Sequence, residues 1–377
     1  MNKPKIIKSE LLEVALPLVT PYTTGFGTLT DRNTLFVRLE TEDGLVGWGE
    51  AAQVRDPIYL EEWLNGSWQF ITEYLLPLVQ GTNLSSAKFA TSVQRFRRNN
   101  ISKFAVETAL WMIEAKRAKV SYAKLLGGKR NRIESGASVG MQPSISKTVE
   151  AVKKKIETGH KRIKLKIMPG WDYEVVKAVR EAFPNCTLMV DANSSYTLQD
   201  VPQLQQLDQF NLLMVEQPLA YDDIIDHAEL AQLIKTPICL DESICSVEDA
   251  RKAIQLGSCQ IINVKPARVG SLYAVQEMNK LAQEKNIQLW CGGMLEGDIG
   301  KIANLAAASL SEFSLAADIS DWPTYFSSTG TDLDNCYSAP MFTLSDTFGI
   351  DVEIDEEWLE EYLVRRITLD SKYTSMA

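Results

Sequence analysis

The chain reads as an α/β protein, a parallel barrel of eight strands following a smaller α+β domain. Three observations predict this. At 377 residues the chain exceeds the usual size of one hydrophobic core. Its first 130 or so residues read as a β-meander and then helices, whereas from about residue 135 strand-like apolar runs alternate with amphipathic helical stretches. Four of those runs close on a charge at nearly constant spacing: Asp191, Glu216, Asp241 and Lys265, which lie 25, 25 and 24 residues apart. One strand, one crossover helix and two short loops occupy about 25 residues, so each charge falls at the same point of a repeated βα unit.

Taken in order, residues 5–16 and 31–52 form the meander, with a tight turn at Glu42-Asp43-Gly44. Between them Thr20 to Gly27 is rich in Gly and Thr and carries Tyr22 and Phe26, the composition either of a mobile lid or of a long hairpin connection. Helices are expected at 57–79, 85–99 and 102–119. SGASVG is the first barrel strand, and RIKLKI (residues 162–167) follows the helix at 146–158, where Val149, Val152 and Ile156 share a face. A helix at 172–183 leads to the strand ending on Asp191. Thr197-x-x-Asp200 and Ser246-x-x-Asp249 fit capping boxes at later helix starts. After Lys265 come a helix at 270–285, the strand QLWCGG, a helix near 299–311 and a last short strand around 314–317, which makes eight. The tail, with DEEWLEEYL helical and LVRRITL strand-like, lacks the barrel rhythm and is expected to return to the N-terminal domain.

The formal charge of −10 argues against nucleic acid or an anionic membrane as partner. No apolar run approaches the roughly 18 residues of a membrane span, and the first ten residues lack a signal-peptide core, so a cytoplasmic protein is expected. The six cysteines show no Cys-x-x-Cys spacing and read as buried reduced thiols. Both histidines, His160 and His227, miss the strand ends, which leaves lysines as the acids and bases of any site.

A charge just past a buried strand is ordinarily punctuation. Five strand ends in register carrying lysine, Asp, Glu, Asp and lysine are harder to explain by packing. Alternation in Ile163-Lys164-Leu165-Lys166-Ile167 points both lysines into the barrel. Two residues along a strand span about 6.6 Å, where two ammonium groups at an effective dielectric of about 20 repel by roughly 2.5 kcal/mol. One lysine can thus act as a neutral base. Asp191, Glu216 and Asp241 offer three hard oxygen ligands, which select Mg²⁺, with Mn²⁺ as substitute. Lys265 reaches the cavity from the side opposite Lys166. A small-molecule carboxylate on the metal would then lie between two lysines, an arrangement suited to abstracting the proton α to it.

The set Lys164-x-Lys166, Asp191-x-Asn193, Glu216-Gln217-Pro218, Asp241-Glu242-Ser243 and Lys265-Pro266 resembles the muconate-lactonizing branch of the enolase superfamily. Segments 136–140, 162–167, 265–270, 292–296 and 317–320 are similar to the o-succinylbenzoate synthase and N-succinylamino acid racemase group. The resemblance implies a modified TIM barrel, (β/α)7β, over residues 131–339. A capping domain of residues 1–130, joined by 340–377, would cover it. It implies Mg²⁺-dependent dehydration of 2-succinyl-6-hydroxy-2,4-cyclohexadiene-1-carboxylate to 2-succinylbenzoate, a step of menaquinone biosynthesis. Lys166 would take the α-proton and then protonate the leaving hydroxide, and Lys265 would stabilise the enediolate. In the racemases the same lysines would be the two bases of a 1,1-proton transfer. Arg268 matches an arginine typical of the group that racemises N-acylamino acids and would then be a substrate-binding residue, or it is a surface or helix-start residue. Gly293 and Met294 would meet the distal carboxylate with their backbone, and Ser138 and Asn193 complete the expected substrate contacts. A homo-oligomer is expected. Gly297-Asp298 and residues 322–340 depart from the group's pattern, which leaves fine specificity open. Dipeptide epimerase or cycloisomerase activity fits the Arg268 and Gly292-Gly293-Met294 matches less well. A non-catalytic barrel fits poorly with a full complement of ligands and lysines.

Overall fold

The computed structural model describes residues 4–24, 27–319 and 322–370. Its N-terminal part is a four-stranded antiparallel sheet in the order Leu363–Leu369, Ile6–Leu16, Arg32–Thr41, Val46–Ala51. The tail therefore does return to the first strand, with Ser9 opposite Leu369. Tyr22–Thr24 and Gly27–Leu29 pair as a short hairpin, so the connection contains β structure; Gly25 and Phe26 lie outside the described residues.

A 19-residue helix, Asn100–Ala118, is buried on almost every face because it lies between this sheet and the barrel. Gly47 and Gly49 in the strand Val46–Ala51 make that possible: a Cβ on Gly49 would stand 1.8 Å from the Ala105 carbonyl oxygen, and one on Gly47 2.1 Å from that of Ala109. The strand thus accepts the helix backbone directly.

The first expected helix starts late. Residues 57–63 stay irregular, and helix begins at Leu64, with a single π turn over Ile71–Leu75 before Pro77. The Glu62 carboxylate accepts from Ile101 N–H (2.8 Å), Ser102 N–H (3.0 Å) and Ser102 Oγ (2.8 Å), capping the long helix from outside. Tertiary partners thus override the helical pattern of the segment.

Seven parallel strands form the barrel sheet in sequence order: Ala137–Val139, Arg162–Lys166, Thr187–Asp191, Val215–Glu216, Ile238–Leu240, Ile261–Val264 and Gln288–Cys291. The expected eighth strand is reduced to a bridge. Ala317 pairs with Ser135 on one side, and Asp318 N–H donates to the Cys291 carbonyl (2.8 Å) on the other. The crossover helices fall close to their expected bounds, among them Ile145–Glu157 and Tyr173–Ala182. Thr197 and Asp200 form the reciprocal capping box, while Ser246 caps Asp249 N–H and Asp249 takes Cys245 N–H instead. The helix expected from 270 starts at Leu272, after a short Pro266–Val269 turn of helix that Gly270 ends at φ +82.

Inside the barrel, Met189, Met214, Cys239, Ile261 and Trp290 form a separate buried cluster. The first three lie two residues before Asp191, Glu216 and Asp241, so the alternation that aims the carboxylates at the mouth places an apolar floor beneath them. Among the described residues no disulfide joins any of the six cysteines; Cys239, Cys259 and Cys291 are buried, and Cys186, Cys245 and Cys336 are only partly so.

Candidate active site

The C-terminal ends of the strands open into a cavity of about 810 Å³, its solvent-open mouth included, and Lys164, Lys166, Lys265, Asp318 and Tyr59 line it. Register explains the meeting of the charges: Lys166 pairs with Asp191, and Asp191 with Glu216, across adjacent strands.

At the second strand, Lys166 Nζ donates to Asp191 Oδ2 (2.6 Å) and Asn193 Oδ1 (2.7 Å). Lys164 Nζ lies 2.5 Å from Asp318, 3.3 Å from Asp191 and 3.4 Å from Glu216. Burial alone would lower the Lys164 pKa, but Asp318, Glu216 and Asp191 outweigh it and hold the ammonium well above its ordinary value. The expected repulsion between the two lysines is therefore not what governs Lys164.

At the sixth strand, Lys265 Nζ donates to Asp241 Oδ2 (2.8 Å) and to the Tyr59 hydroxyl (2.5 Å). Burial opposes its charge too, and here Asp241 prevails and holds the ammonium well above its ordinary value. Asp241 is further held by Arg268, which donates to it from Nη1, to Ile244 O from Nε (2.9 Å) and to Asn263 O from Nη2 (2.5 Å). Burial would raise the Asp241 carboxyl, but Arg268 and then Lys265 keep it below the usual carboxylate range. Arg268 is fully buried and stands behind Asp241, off the cavity wall, where a substrate contact was expected; it is neither a surface nor a free helix-start residue.

Ser138 and Asn193 both line the cavity: Ser138 Oγ donates to Asp318 Oδ1 (2.6 Å), and Asn193 Nδ2 to Glu242 Oε1 (3.0 Å). Gly293 and Met294 line it as well, but Met294 N–H is already given to Glu296 Oε2 (2.9 Å), so that donor is not free for a substrate carboxylate.

Burial, and then Asp191 beside it, push the Glu216 carboxyl up to about 8; burial and Asp241 push Glu242 up to about 7. Burial would raise Asp191 too, but Lys166 and then Lys164 hold it below the usual carboxylate range. Among the described residues no three Asp, Glu, His or Cys side chains stand in a ready metal-ligating cluster; lysine and arginine cations sit among the carboxylates. The donor set nevertheless fits a hard divalent ion: it is oxygen-only, and Glu242 Oε2 and Asn263 Oδ1 are buried with no hydrogen-bond partner.

Several residues escaped the sequence reading. Asp318 continues the strand-end series, 53 residues past Lys265, but the seventh strand ends on Cys291 with no charge and breaks the pattern. Asn263, two residues before Lys265 on the same face, donates to Glu216 Oε1 (2.7 Å). Lys301 also lines the cavity, 5.8 Å from the Phe326 ring centroid. Tyr59 arrives from the N-terminal domain and leaves no local signal.

The chain belongs to the enolase superfamily: residues 147–358 match the family described as Enolase C-terminal domain-like, and residues 6–127 match the Mandelate racemase / muconate lactonizing enzyme, N-terminal domain. Enzymes of this kind are generally divalent-metal dependent. Among its relatives, the o-succinylbenzoate synthase of Geobacillus kaustophilus is 40% identical over 353 residues, 93% of this chain and 94% of that protein. The N-succinylamino acid racemase of Thermus thermophilus is 41% identical over 372 residues, 98% and 99% of the two chains. A solved enolase-superfamily structure from Listeria innocua superposes with a TM-score of 0.92 at 35% identity, covering 97% of this chain and 99% of that one. No helix among the described residues is long and apolar enough to cross a membrane.

Proposed function

We propose that this chain dehydrates 2-succinyl-6-hydroxy-2,4-cyclohexadiene-1-carboxylate to 2-succinylbenzoate in menaquinone biosynthesis, and that it also racemises N-succinylamino acids. The supporting observation is the pair of lysines, Lys166 after the second strand and Lys265 after the sixth, lining one cavity. In an eight-station barrel those positions lie across the axis from each other.

Asp191, Glu216 and Asp241 would hold the divalent ion, Mg²⁺ by their donor chemistry. When bound, that ion supplies positive charge to the substrate carboxylate as the α-proton leaves. Lys166, as the amine, accepts the α-proton, and its ammonium then returns that proton to the departing hydroxide, releasing water. Lys265, fixed by Asp241 and Tyr59, faces the other side of the α-carbon as a cation and stabilises the enediolate. Racemisation uses the same geometry, with one lysine removing the proton and the other delivering one to the opposite face. Lys164 holds Asp191, Glu216 and Asp318 in place.

An ultraviolet assay on the pure protein with Mg²⁺ tests dehydration; no turnover sinks that reading. Incubating each enantiomer of an N-succinylamino acid in D₂O tests the second, since a racemase must wash deuterium into the α-position. The protein is expected to be a cytoplasmic homo-oligomer, which fractionation and light scattering check.

A further inference from the structure

Two buried charges of the N-terminal sheet do no work in the chemistry above. Arg32, at the start of the strand Arg32–Thr41, is 2% exposed, and Glu50, on the neighbouring strand, 1%. Neither forms a direct ion pair among the described residues. A buried charge is costly unless its hydrogen-bonding capacity is filled, and here backbone fills much of it.

Arg32 Nε donates to the Leu295 carbonyl (2.9 Å) and Nη2 to that of Met294 (3.2 Å), while Nη1 holds its own domain at Asn33 O (2.7 Å) and Gln53 O (2.8 Å). Glu50 accepts from Gly297 N–H (2.9 Å) and Gly300 N–H (2.8 Å), the first turn of the helix Asp298–Ala308, and from Thr34 Oγ1 (2.8 Å). A cation thus grips two carbonyls, and an anion two amides, of one barrel loop.

The loop shows the effect of that grip. Leu295 sits at φ +55, a left-handed conformation that an L residue with a branched side chain keeps only when its surroundings impose it. On the other side the loop presses against the end of the barrel, where a Cβ on Gly293 would come within 2.8 Å of the Asp318 carbonyl oxygen. Gly293, Met294, Leu295 and Glu296 form one wall of the cavity. Turning two carbonyl oxygens toward Arg32 removes acceptors from a wall that a dianionic substrate must approach.

We infer that Arg32 and Glu50 are a two-charge clamp through which the N-terminal sheet sets the shape of loop 293–297, and with it the fit of the substrate end remote from the reacting carbon. They are positioning residues, and the substrate part of this inference rests on the succinyl-substrate reading above.

The test uses full-length Arg32→Lys and Glu50→Gln with Mg²⁺. Lysine keeps the charge but cannot reproduce the fork, and glutamine keeps one acceptor where two amides need one each. In hydrogen exchange the backbone amides of 293–300 should exchange about tenfold faster in either variant, while those of Arg162–Lys166 stay as in the wild type. KM for an N-succinylamino acid should rise about tenfold with kcat within about threefold, and preference over the N-acetyl analogue should fall. A lowered Tm with loop exchange, KM and preference all unchanged would overturn the clamp. If the wild type turns over neither substrate, the functional reading fails, and the exchange arm still decides whether the clamp holds the loop.

Discussion

The two lysine stations differ in who holds them. Lys166 is held by Asp191 and Asn193, both at the next strand end, so the barrel alone builds that side. Lys265 is held by Asp241 and by Tyr59, which comes from the other domain, and Asp241 is braced from behind by Arg268. In dehydration the first station suits a group that must release and regain a proton, and the second a charge that stays where it is; in racemisation both must exchange protons. A site that looks symmetrical by residue type is asymmetrical in its supports.

The comparison breaks most sharply at Lys166. Lys166→Ala should cut dehydration by about 10²- to 10⁴-fold while calorimetry still shows Mg²⁺ binding; substantial residual turnover would mean the base lies elsewhere. Arg268→Met leaves Asp241 buried with one counter-charge fewer and should cost about 3–5 kcal/mol in urea unfolding. A loss of substrate affinity with unchanged stability would instead put Arg268 in contact with substrate. Lys265→Ala should reduce dehydration by about 10²- to 10³-fold. For racemisation the two lysine variants should differ in kind: in D₂O each should lose exchange from one enantiomer and keep it from the other. The smallest effect is expected from Tyr59→Phe, which removes one hydrogen bond to Lys265 and should slow turnover by about two- to tenfold, as steady-state kinetics would show, without changing which enantiomer exchanges.

The barrel side of this contrast was legible in the sequence because it is written in local periods. Alternation aimed Lys164 and Lys166 inward, and even spacing brought Asp191, Glu216 and Asp241 to one level. The cap side was not. Tyr59 meets Lys265 across 206 residues, and Arg32 meets Leu295 across 263, with no period linking them. Residues 57–63 carry helical apolar spacing, yet Tyr59 and Glu62 are claimed by partners elsewhere, so the segment stays out of the helix. Arg268 resembled a substrate contact because a sequence cannot say on which side of Asp241 it lies.

The outermost strand of the N-terminal sheet, Leu363–Leu369, is also the last strand described, and it joins the first across 360 positions at Ser9 and Leu369. During synthesis the open edge of Ile6–Leu16 therefore waits until residues 363–369 have emerged. Closing so long a loop costs entropy that grows slowly with length, and a folded barrel in between removes most of it by bringing the ends together. Until then a mostly buried strand has an unpaired edge, the kind of surface that pairs wrongly with other chains. The same pairing makes Ile6–Leu16 and Leu363–Leu369 a single latch, so removing Leu363–Leu369 would expose the edge of Ile6–Leu16 as well.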